Sequence, residues 1–304
     1  MGLEAAIGYP AALARVVPHP VAWPAALIDR LERLWNRPSF PDLRRRSLGI
    51  VVVLLLIGLS VALGLLVQRL AGSSLFGIAV VALVATTGLA QRSLHDHVAA
   101  VLAPLEAGDL PAARAAVAMI VGRDTDQLDE EGVAKAALES LAESFNDGIV
   151  APACWLLAVG LPGLFAYKSV NTADSLIGHR EPRWRMFGWA AARTDDLMNL
   201  FPARLAGALL ALAGGGGWRV MVRDAPRHAS PNAGWPEAAM AGALGVSLGG
   251  PVAYEGVAAD RPVFGEGPSP DAAALRRGLS IYRRACALLW LPPLLLGAIL
   301  IFRR

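Results

Sequence analysis

The feature that most constrains this chain is an unbroken apolar run over residues 48–67. At 1.5 Å per residue, a helix of this length is about 30 Å long, which matches the hydrocarbon core of a bilayer. Arg44, Arg45 and Arg46 precede the run and predict that the N-terminal side faces the cytoplasm. Only 17% of the residues are charged and the mean hydropathy is +0.47, so lipid is expected to be part of the solvent.

Further apolar runs predict additional spans. Residues 75–90 would complete a transmembrane hairpin with the first run, and a continuous apolar stretch close to the C-terminus, 285–302, forms a last span. Residues 149–166 contain two prolines and form either a span or a re-entrant element, whereas 203–217 end in four glycines and make a marginal span. We therefore predict an all-α, polytopic helical membrane protein with amphipathic helices and polar loops. It forms a single membrane-embedded domain over residues 1–304.

Composition excludes several other classes. The net charge of +3 fits the usual basic excess of a membrane protein, and no basic run is interleaved with aromatic residues as nucleic-acid binding requires. Cys154 and Cys286 lie in apolar surroundings and predict neither a disulfide framework nor a thiolate metal site. The five histidines are scattered, and the sequence contains no phosphate loop, dinucleotide fingerprint or zinc-protease motif.

The polar stretch 122–204 carries the candidate chemistry, and its first constellation is acidic. Glu139, Glu143 and Asp147 are spaced four residues apart, so a continuous helix would place them on one face. Like charges this close need a cation, which favours a metal or ammonium site. A solvated acidic face is the alternative. The position of Asp147 beside an apolar run favours function, because charges at membrane depth are costly.

A second helical face follows that apolar run. Lys168, Asn171 and Asp174 recur at the three-residue spacing of one helix face. A lysine here either binds phosphate as a point charge or extends from the membrane interface towards water.

A third face combines acids, an amide and arginines. Arg193, Asp196 and Asn199 share one helix face, with Asp195 beside them and Arg204 shortly after. Paired aspartates with an asparagine offer the hard oxygen ligands that Mg²⁺ accepts, and arginine binds phosphate or carboxylate bidentately. A structural network of aspartate and arginine is the alternative. We expect the three faces to form one site around residues 149–166.

At this point the sequence resembles the CobD/CbiB family of cobalamin biosynthesis, the adenosylcobinamide-phosphate synthases. The resemblance extends from about residue 19 to the last span, and the ordered motifs that carry it are these: Gly122-Arg123-Asp124-Thr125, Glu139-Ser140-Leu141-Ala142-Glu143, Asp147-Gly148, Tyr167-Lys168, Asn171-Thr172, Asp174-Ser175, Ala192-Arg193, Asp195-Asp196, Pro202-Ala203-Arg204-Leu205, Ser230-Pro231-Asn232-Ala233-Gly234 and Gly249-Gly250 with Tyr254 and Gly256.

The resemblance implies an ATP- and Mg²⁺-dependent ligation. A propionate carboxylate of adenosylcobyric acid is joined to the amine of (R)-1-aminopropan-2-ol O-phosphate, giving adenosylcobinamide phosphate. The resemblance does not supply the roles of individual residues, so we assign them from the chemistry of the side chains at the matching positions. We expect catalytic roles for Glu139, Glu143, Asp147 and Lys168, and metal binding by Asp174, Asp195 and Asp196. Substrate or phosphate binding is expected from Arg123, Asp124, Asn171, Arg193, Asn199, Arg204 and Asn232.

Two departures from the family pattern qualify the resemblance. The family usually opens with a membrane helix bearing an aspartate, followed by Gly-Asp-Pro. This chain starts close to Gly8-Tyr9-Pro10, so a first span is expected to be missing or the start codon misassigned. Ser144 stands where the family has asparagine, which questions any essential amide at that position.

The resemblance also sets the expected location and the alternatives. We expect a multi-pass protein of the cell inner membrane with its site facing the cytoplasm, either as a homo-oligomer or with other corrinoid-pathway membrane enzymes, and no nucleic-acid partner. An AmpE-like membrane regulator without catalysis is the alternative, but such a protein could lose the acidic pairs that are present here. A transporter would place paired charges inside symmetric repeats, and no repeat is visible.

Overall fold

The computed structural model of the protein describes residues 22–254 and 257–302 and is mostly helical. The start of the resemblance at about residue 19, the segment Gly8-Tyr9-Pro10 and Gly256 lie outside these described residues. The helices are α1 Ala22–Trp35, α2 Asp42–Ala71, α3 Leu75–Thr86, α4 Gln91–Glu106, α5 Leu110–Ala118, α6 Glu130–Phe145, α7 Ala151–Val159, α8 Leu161–Ile177, α9 Trp189–Gly214, α10 Trp218–Asp224, α11 Gly234–Leu244 and α12 Ala272–Phe302. A π-helical turn, Asn146–Val150, joins α6 to α7, and a 3₁₀ turn, Ala225–Arg227, follows α10.

Local sequence explains where several helices begin. Ser74, Asp109 and Asp129 each accept a hydrogen bond from a backbone amide of the first turn, at 3.1, 3.0 and 2.8 Å, and so cap α3, α5 and α6. Gly160 has a φ of +77°, ends α7 and precedes α8, which has a proline in its first turn. The apolar stretch 149–166 is therefore two helices joined at a glycine.

Three segments among the described residues are long and apolar enough to cross a membrane: Asp42–Ala71, Leu75–Glu106 and Trp189–Gly214. The predicted runs 48–67 and 75–90 lie within the first two. Along α2 the side chains of Leu54, Leu59 and Leu63 are 64%, 57% and 54% exposed, which is the surface that lipid covers. The chain is an all-α membrane protein, as the sequence predicts.

The remaining predicted spans differ in their helical context. Residues 203–214 continue a helix that starts at Trp189, so polar residues of the third face and the apolar run belong to one element, α9. The stretch 285–302 lies within α12, which contains Pro292 and Pro293. The number of spans and the one-domain organisation stay predictions.

The chain divides into two compact units, each of which is discontinuous in sequence. Unit 1 comprises Met1–Arg92 and Asp147–Asn199, and unit 2 comprises Ser93–Asn146 and Leu200–Arg304. In unit 1, α8 packs along α2 and also contacts α1 and α7. A methyl group on Gly64 of α2 would lie 2.5 Å from the backbone nitrogen of Pro162, so the absent side chain allows the two helices to approach closely.

Unit 2 is built around α6, which contacts α11 and α12. The ring of Phe145, the last residue of α6, packs edge-to-face on Tyr282 with 5.7 Å between centroids. The strands of this unit are short: β1 Leu248–Gly249 pairs antiparallel with β4 Val263–Phe264, and β2 Val252–Tyr254 pairs with β3 Val257–Ala259. These ladders join residues 248–254 to residues 257–264, and β1 contacts α6.

Candidate functional site

Unit 1 contains a cluster of polar side chains that comes from three helical segments. We call Asp147, Lys168, Asn171, Asp174 and Asp195 the aspartate cluster. The Nδ2 atom of Asn171 donates to Asp147 Oδ2 and to Asp195 Oδ1, each at 3.3 Å. One amide from α8 therefore joins a carboxylate of the π-helical turn to a carboxylate of α9.

Buried groups fix the orientation of this cluster. Asn199 is 1% exposed, and its Nδ2 donates to Asp195 Oδ2 at 2.9 Å. The hydroxyl of Tyr167, which is fully buried, donates to Asn199 Oδ1 at 3.2 Å. Burial, and then the negative charge of Asp147, raise the pKa of the Tyr167 phenol well above its ordinary value, so the ring keeps its proton. Asp195 is consequently held by an amide on each of its oxygens.

The pKa values of the two charged side chains of α8, Lys168 and Asp174, shift in opposite directions on burial. Burial lowers the pKa of Lys168, while the nearby carboxylates of Asp147 and Asp195 oppose that shift. Burial raises the pKa of Asp174 to about 6, and repulsion from Asp196 and Asp147 adds to the effect. The cluster is thus crowded with negative charge, and a cation bound there would relieve the repulsion.

The predicted metal ligands are not gathered as a set. Adjacent residues of a helix point about 100° apart, and Asp196 pairs with Arg193 at 3.1 Å while Asp195 faces the two asparagines. Within the described ranges, no three His, Cys, Asp or Glu side chains come together to hold a metal ion. Mg²⁺ retains waters and substrate phosphates, so Asp147 and Asp195, which share the Asn171 amide, offer the better fit.

Unit 2 contains a separate cluster beside a small cavity. The cavity has a volume of about 170 Å³, and its lining includes Gly122, Arg123, Glu139, Glu143, Ser144 and Arg261. Glu139 is 2% exposed and accepts from Arg123, from Arg261 at 3.3 Å and from the amide of Gly249 at 2.6 Å. Glu143 at the cavity is exposed, and so it is the carboxylate that a ligand can reach.

A second buried carboxylate, Glu237, belongs to this cluster. Glu237 of α11 is 0% exposed, and Arg261 Nη2 donates to its two oxygens at 3.2 and 3.1 Å. His228 Nε2 lies 3.8 Å from Glu237 and 3.3 Å from the same arginine nitrogen. Burial raises the pKa of Glu237 well above its ordinary value, and the charge of Arg261 opposes the shift. We call Arg123, Glu139, Glu237 and Arg261 the glutamate–arginine cluster.

The predicted acidic face over residues 139–147 is wrong as one continuous surface. The π-helical turn Asn146–Val150 changes the helical repeat before the face is complete. Glu139 and Glu143 line the cavity of unit 2, whereas Asp147 makes its hydrogen bond to Asn171 in unit 1. A π-turn often marks a functional position, and here it redirects Asp147, the one member of the predicted acidic face that belongs to the aspartate cluster.

Other predicted binding residues lie elsewhere in unit 2. Arg204 stacks over the Trp235 ring at 4.7 Å and donates to Asn232 Oδ1 at 3.4 Å and to the carbonyl of Leu200 at 2.6 Å. Asn232 is 5% exposed, and the exposed Asp124 donates from its backbone amide to the carbonyl of Ala253 at 3.0 Å. Arg204 and Asn232 therefore stabilise the turn that precedes α11.

Sequence reasoning did not identify Arg261, His228 or Glu237 as site residues. One signal was available: Glu237 is the sole charged residue of α11, whose other members are mostly Ala, Gly and Met. A carboxylate in such a helix is buried and must be paired. Its partner Arg261 could not be located from the sequence, because it lies on a loop 24 residues further on.

The described residues thus define a helical membrane protein with two clusters of carboxylates and cations. The family model described as "CobD/Cbib protein" matches residues 1–282, and the chain belongs to that family. A Rhodobacter capsulatus protein named "Cobalamin biosynthesis protein CobD" is 54% identical over 94% of this chain and 92% of its own length. Proteins of the same name from Sinorhizobium sp and Brucella anthropi are each 45% identical, over 94% and 90% of this chain and 93% and 86% of theirs. No solved structure matches the chain.

Proposed function

We propose that this chain catalyses an ATP-dependent amide ligation in cobalamin biosynthesis. The reaction joins a propionate carboxylate of adenosylcobyric acid to the amine of (R)-1-aminopropan-2-ol O-phosphate and yields adenosylcobinamide phosphate. Membership of the CobD/Cbib family supports the pathway. The observation that carries the reaction class is the aspartate cluster, in which Asn171 joins Asp147 to Asp195 beside Lys168.

The chemistry of such a ligation defines what the protein must supply. The substrate carboxylate oxygen takes a phosphoryl or adenylyl group from ATP, the amine then displaces that group at the carbonyl carbon, and the ammonium gives up a proton before it attacks. Cations must neutralise the phosphates, and a base must accept the proton. Bound Mg²⁺ would supply charge neutralisation at the phosphates.

The aspartate cluster suits the activation step. Asp147 and Asp195 would hold Mg²⁺ through oxygen, and Asn171 and Asn199 keep the Asp195 carboxylate in a fixed orientation. Lys168 would bind a phosphate as a point charge. The carboxylates of Asp147 and Asp195 favour the protonated ammonium against the effect of burial. Asp174 and Asp196 are then assigned to the surroundings of the metal.

The cavity of unit 2 suits the smaller substrate. Its volume of about 170 Å³ suits a small polar molecule. Arg123 and Arg261 at its wall would attract a phosphate, and the exposed Glu143 would bind the ammonium and accept its proton. Glu139 would act through the two arginines that it holds in place.

A genetic experiment tests the proposal. The chain is expressed in a bacterial strain that lacks its own synthase and receives cobyric acid as the sole corrinoid. We expect wild-type protein to restore corrinoid-dependent growth, and Asp195→Ala and Lys168→Ala to abolish it while their membrane expression is retained. Asp126→Ala, at an exposed acidic position, is the matched control and should grow normally. Failure of the wild-type chain, or full growth with Asp195→Ala, contradicts the proposal.

We also propose that the protein lies in the cell inner membrane with the aspartate cluster on the cytoplasmic side. The arginine triplet before the first span supports this orientation. Ser175 on α8 is exposed, so labelling at this position reports on which side of the membrane α8 lies. A membrane-impermeant maleimide should label Ser175→Cys in inverted vesicles and leave it unlabelled in spheroplasts. The reverse pattern would place α8 on the outer side.

A further inference from the structure

A groove in unit 1 shares no lining residue with either cluster described above. It has a volume of about 620 Å³ and is formed where α1 meets the start of α2 and the loop after α8. Its lining includes the arginines Arg33, Arg37, Arg45 and Arg183, together with Glu32 and Asn36. No step of the proposed ligation uses these residues.

The segments that form the groove are strongly basic. Residues 22–46 and 179–188 together contain nine arginines against four carboxylates and contain no lysine. The planar guanidinium group binds phosphate oxygens bidentately, which a lysine ammonium cannot do. The composition therefore favours an anion that contains phosphate.

Internal contacts give the groove a fixed shape. Asn36 is 8% exposed and donates to Glu32 at 2.9 Å and to the carbonyl of Arg183 at 3.0 Å. Arg45 donates from Nε to Asn36 at 2.8 Å, and Arg183 donates to both Glu32 oxygens at 3.0 and 2.9 Å. The floor is thus a built network, in which one buried carboxylate is shared between α1 and the loop.

Arg37 stands at the rim with its charge uncompensated by these contacts. Its Nε donates to the carbonyl of Leu34 at 3.1 Å, and its guanidinium lies 5.9 Å from the Phe40 ring. Neither contact neutralises the charge. Arg33, by contrast, is paired with Asp29 at 2.7 Å. Arg37 is therefore the clearest candidate for direct contact with an anion.

The surroundings identify the source of the phosphate. The groove lies beside the first turn of α2, where the membrane-spanning helix enters the lipid headgroup region. Arginines stack on aromatic rings there: Arg44 over Phe40 at 3.9 Å and Arg46 over Trp189 at 3.7 Å. Apolar side chains are exposed on the same helices, Trp23 of α1 at 72% and Leu43 of α2 at 76%. Aromatic and basic residues together are typical of the membrane interface.

We infer that this groove binds the headgroup of an anionic phospholipid and so anchors α1 and the loop 179–188 to the membrane surface. The acyl chains would lie along the exposed leucines of α2, and the arginines would hold the phosphate. Clusters of arginine next to a membrane span attract anionic lipids in this way. The arginines favour a ligand that carries a phosphate group. The position of the groove at the membrane interface favours a lipid over a soluble compound.

Native mass spectrometry of the full chain in nonionic detergent tests the inference. The protein is titrated with phosphatidylglycerol or phosphatidylcholine, and bound lipid is counted. We expect a preference for phosphatidylglycerol that Arg37→Gln weakens about fivefold and the Arg33→Gln/Arg37→Gln pair about twentyfold. The matched control is Arg69→Gln, an exposed arginine at the opposite end of α2, which should retain wild-type binding.

Two outcomes would overturn the inference. The first is equal retention of phosphatidylglycerol by the wild type, Arg37→Gln and Arg69→Gln. The second is full displacement of the lipid by millimolar inorganic phosphate, which would assign the groove to a soluble phosphate compound. The variants are compared only at matched elution in gel filtration, and the readout is independent of ligase activity.

Discussion

Replacing Arg261 by methionine should reveal how the glutamate–arginine cluster is stabilised. Arg261 donates to both oxygens of the fully buried Glu237 and, at 3.3 Å, to Glu139. Glu139 keeps Arg123 and the Gly249 amide as partners after the substitution. The loss therefore falls on Glu237, which is left as a buried carboxylate whose principal counter-charge has been removed.

The size of the effect follows from the protonation of Glu237. Removing one partner of a buried ion pair costs about 3–5 kcal/mol. A carboxyl group with an unfolded pKa of about 4.3 can instead take up a proton, which costs about 1.4 kcal/mol per pH unit. That route limits the charge penalty to about 3.7 kcal/mol at pH 7 and about 1 kcal/mol at pH 5. Because the folded variant then holds a proton that the unfolded chain releases, its stability falls as the pH rises above about 4.3.

Melting of the full chain in detergent micelles between pH 5 and 8 measures this difference. Burial already raises the pKa of Glu237 in the wild type, so these costs are upper limits on the difference between the two proteins. At about 2 °C per kcal/mol, Arg261→Met should melt up to about 7 °C below wild type at pH 7 and up to about 2 °C below it at pH 5. Adding Glu237→Gln should recover most of the loss, because it removes the buried charge. The control is Arg276→Met, which breaks an exposed pair with Glu106 and should cost less than about 2 °C. A deficit that is independent of pH and unrelieved by Glu237→Gln would refute the reasoning.

Three further predictions follow from named contacts. Asn171→Ala should lower ligase activity at least tenfold at an unchanged melting temperature, because the amide positions two carboxylates; equal activity in a product assay would contradict this. Gly64→Ala should destabilise the protein by about 1–3 kcal/mol through a backbone clash, whereas Gly58→Ala on the same helix, with open space around it, should be neutral in the same melting assay. The hydrogen bond from Arg223 holds the pKa of Asp224 at about 2. The contribution of this carboxylate to the free energy of unfolding is therefore complete above about pH 4 and is lost as the pH falls towards 2. Asp224→Asn should flatten that part of a stability–pH curve, and an unaltered curve would count against the reasoning.

Regular helices allowed the sequence to predict much of the aspartate cluster. Lys168, Asn171 and Asp174 were placed on one face by their spacing, and α8 is a continuous helix over that region. The apolar run 48–67 likewise lies within α2, because a long run of leucine and valine leaves few alternatives in lipid. Where the α-helical repeat holds, spacing predicts which side chains come together.

The missed features have two physical causes. The π-turn Asn146–Val150 breaks the α-helical repeat, and no local pattern marks it, so Asp147 was assigned to the wrong face. The spacing argument also could not choose between Asp195 and Asp196, and the choice depends on tertiary contacts with Asn171. Arg261 was missed for the same reason, since its two glutamate partners are 24 and 122 residues away.

The central claim is that this chain forms an amide between a corrinoid carboxylate and an aminoalkyl phosphate. The direct measurement is mass spectrometry of products made by the purified full chain in proteoliposomes supplied with adenosylcobyric acid, (R)-1-aminopropan-2-ol O-phosphate, ATP and Mg²⁺. The account predicts adenosylcobinamide phosphate, consumption of ATP in step with product, and loss of both with Asp147→Ala. Folded wild-type protein that yields no amide product from these substrates would contradict it.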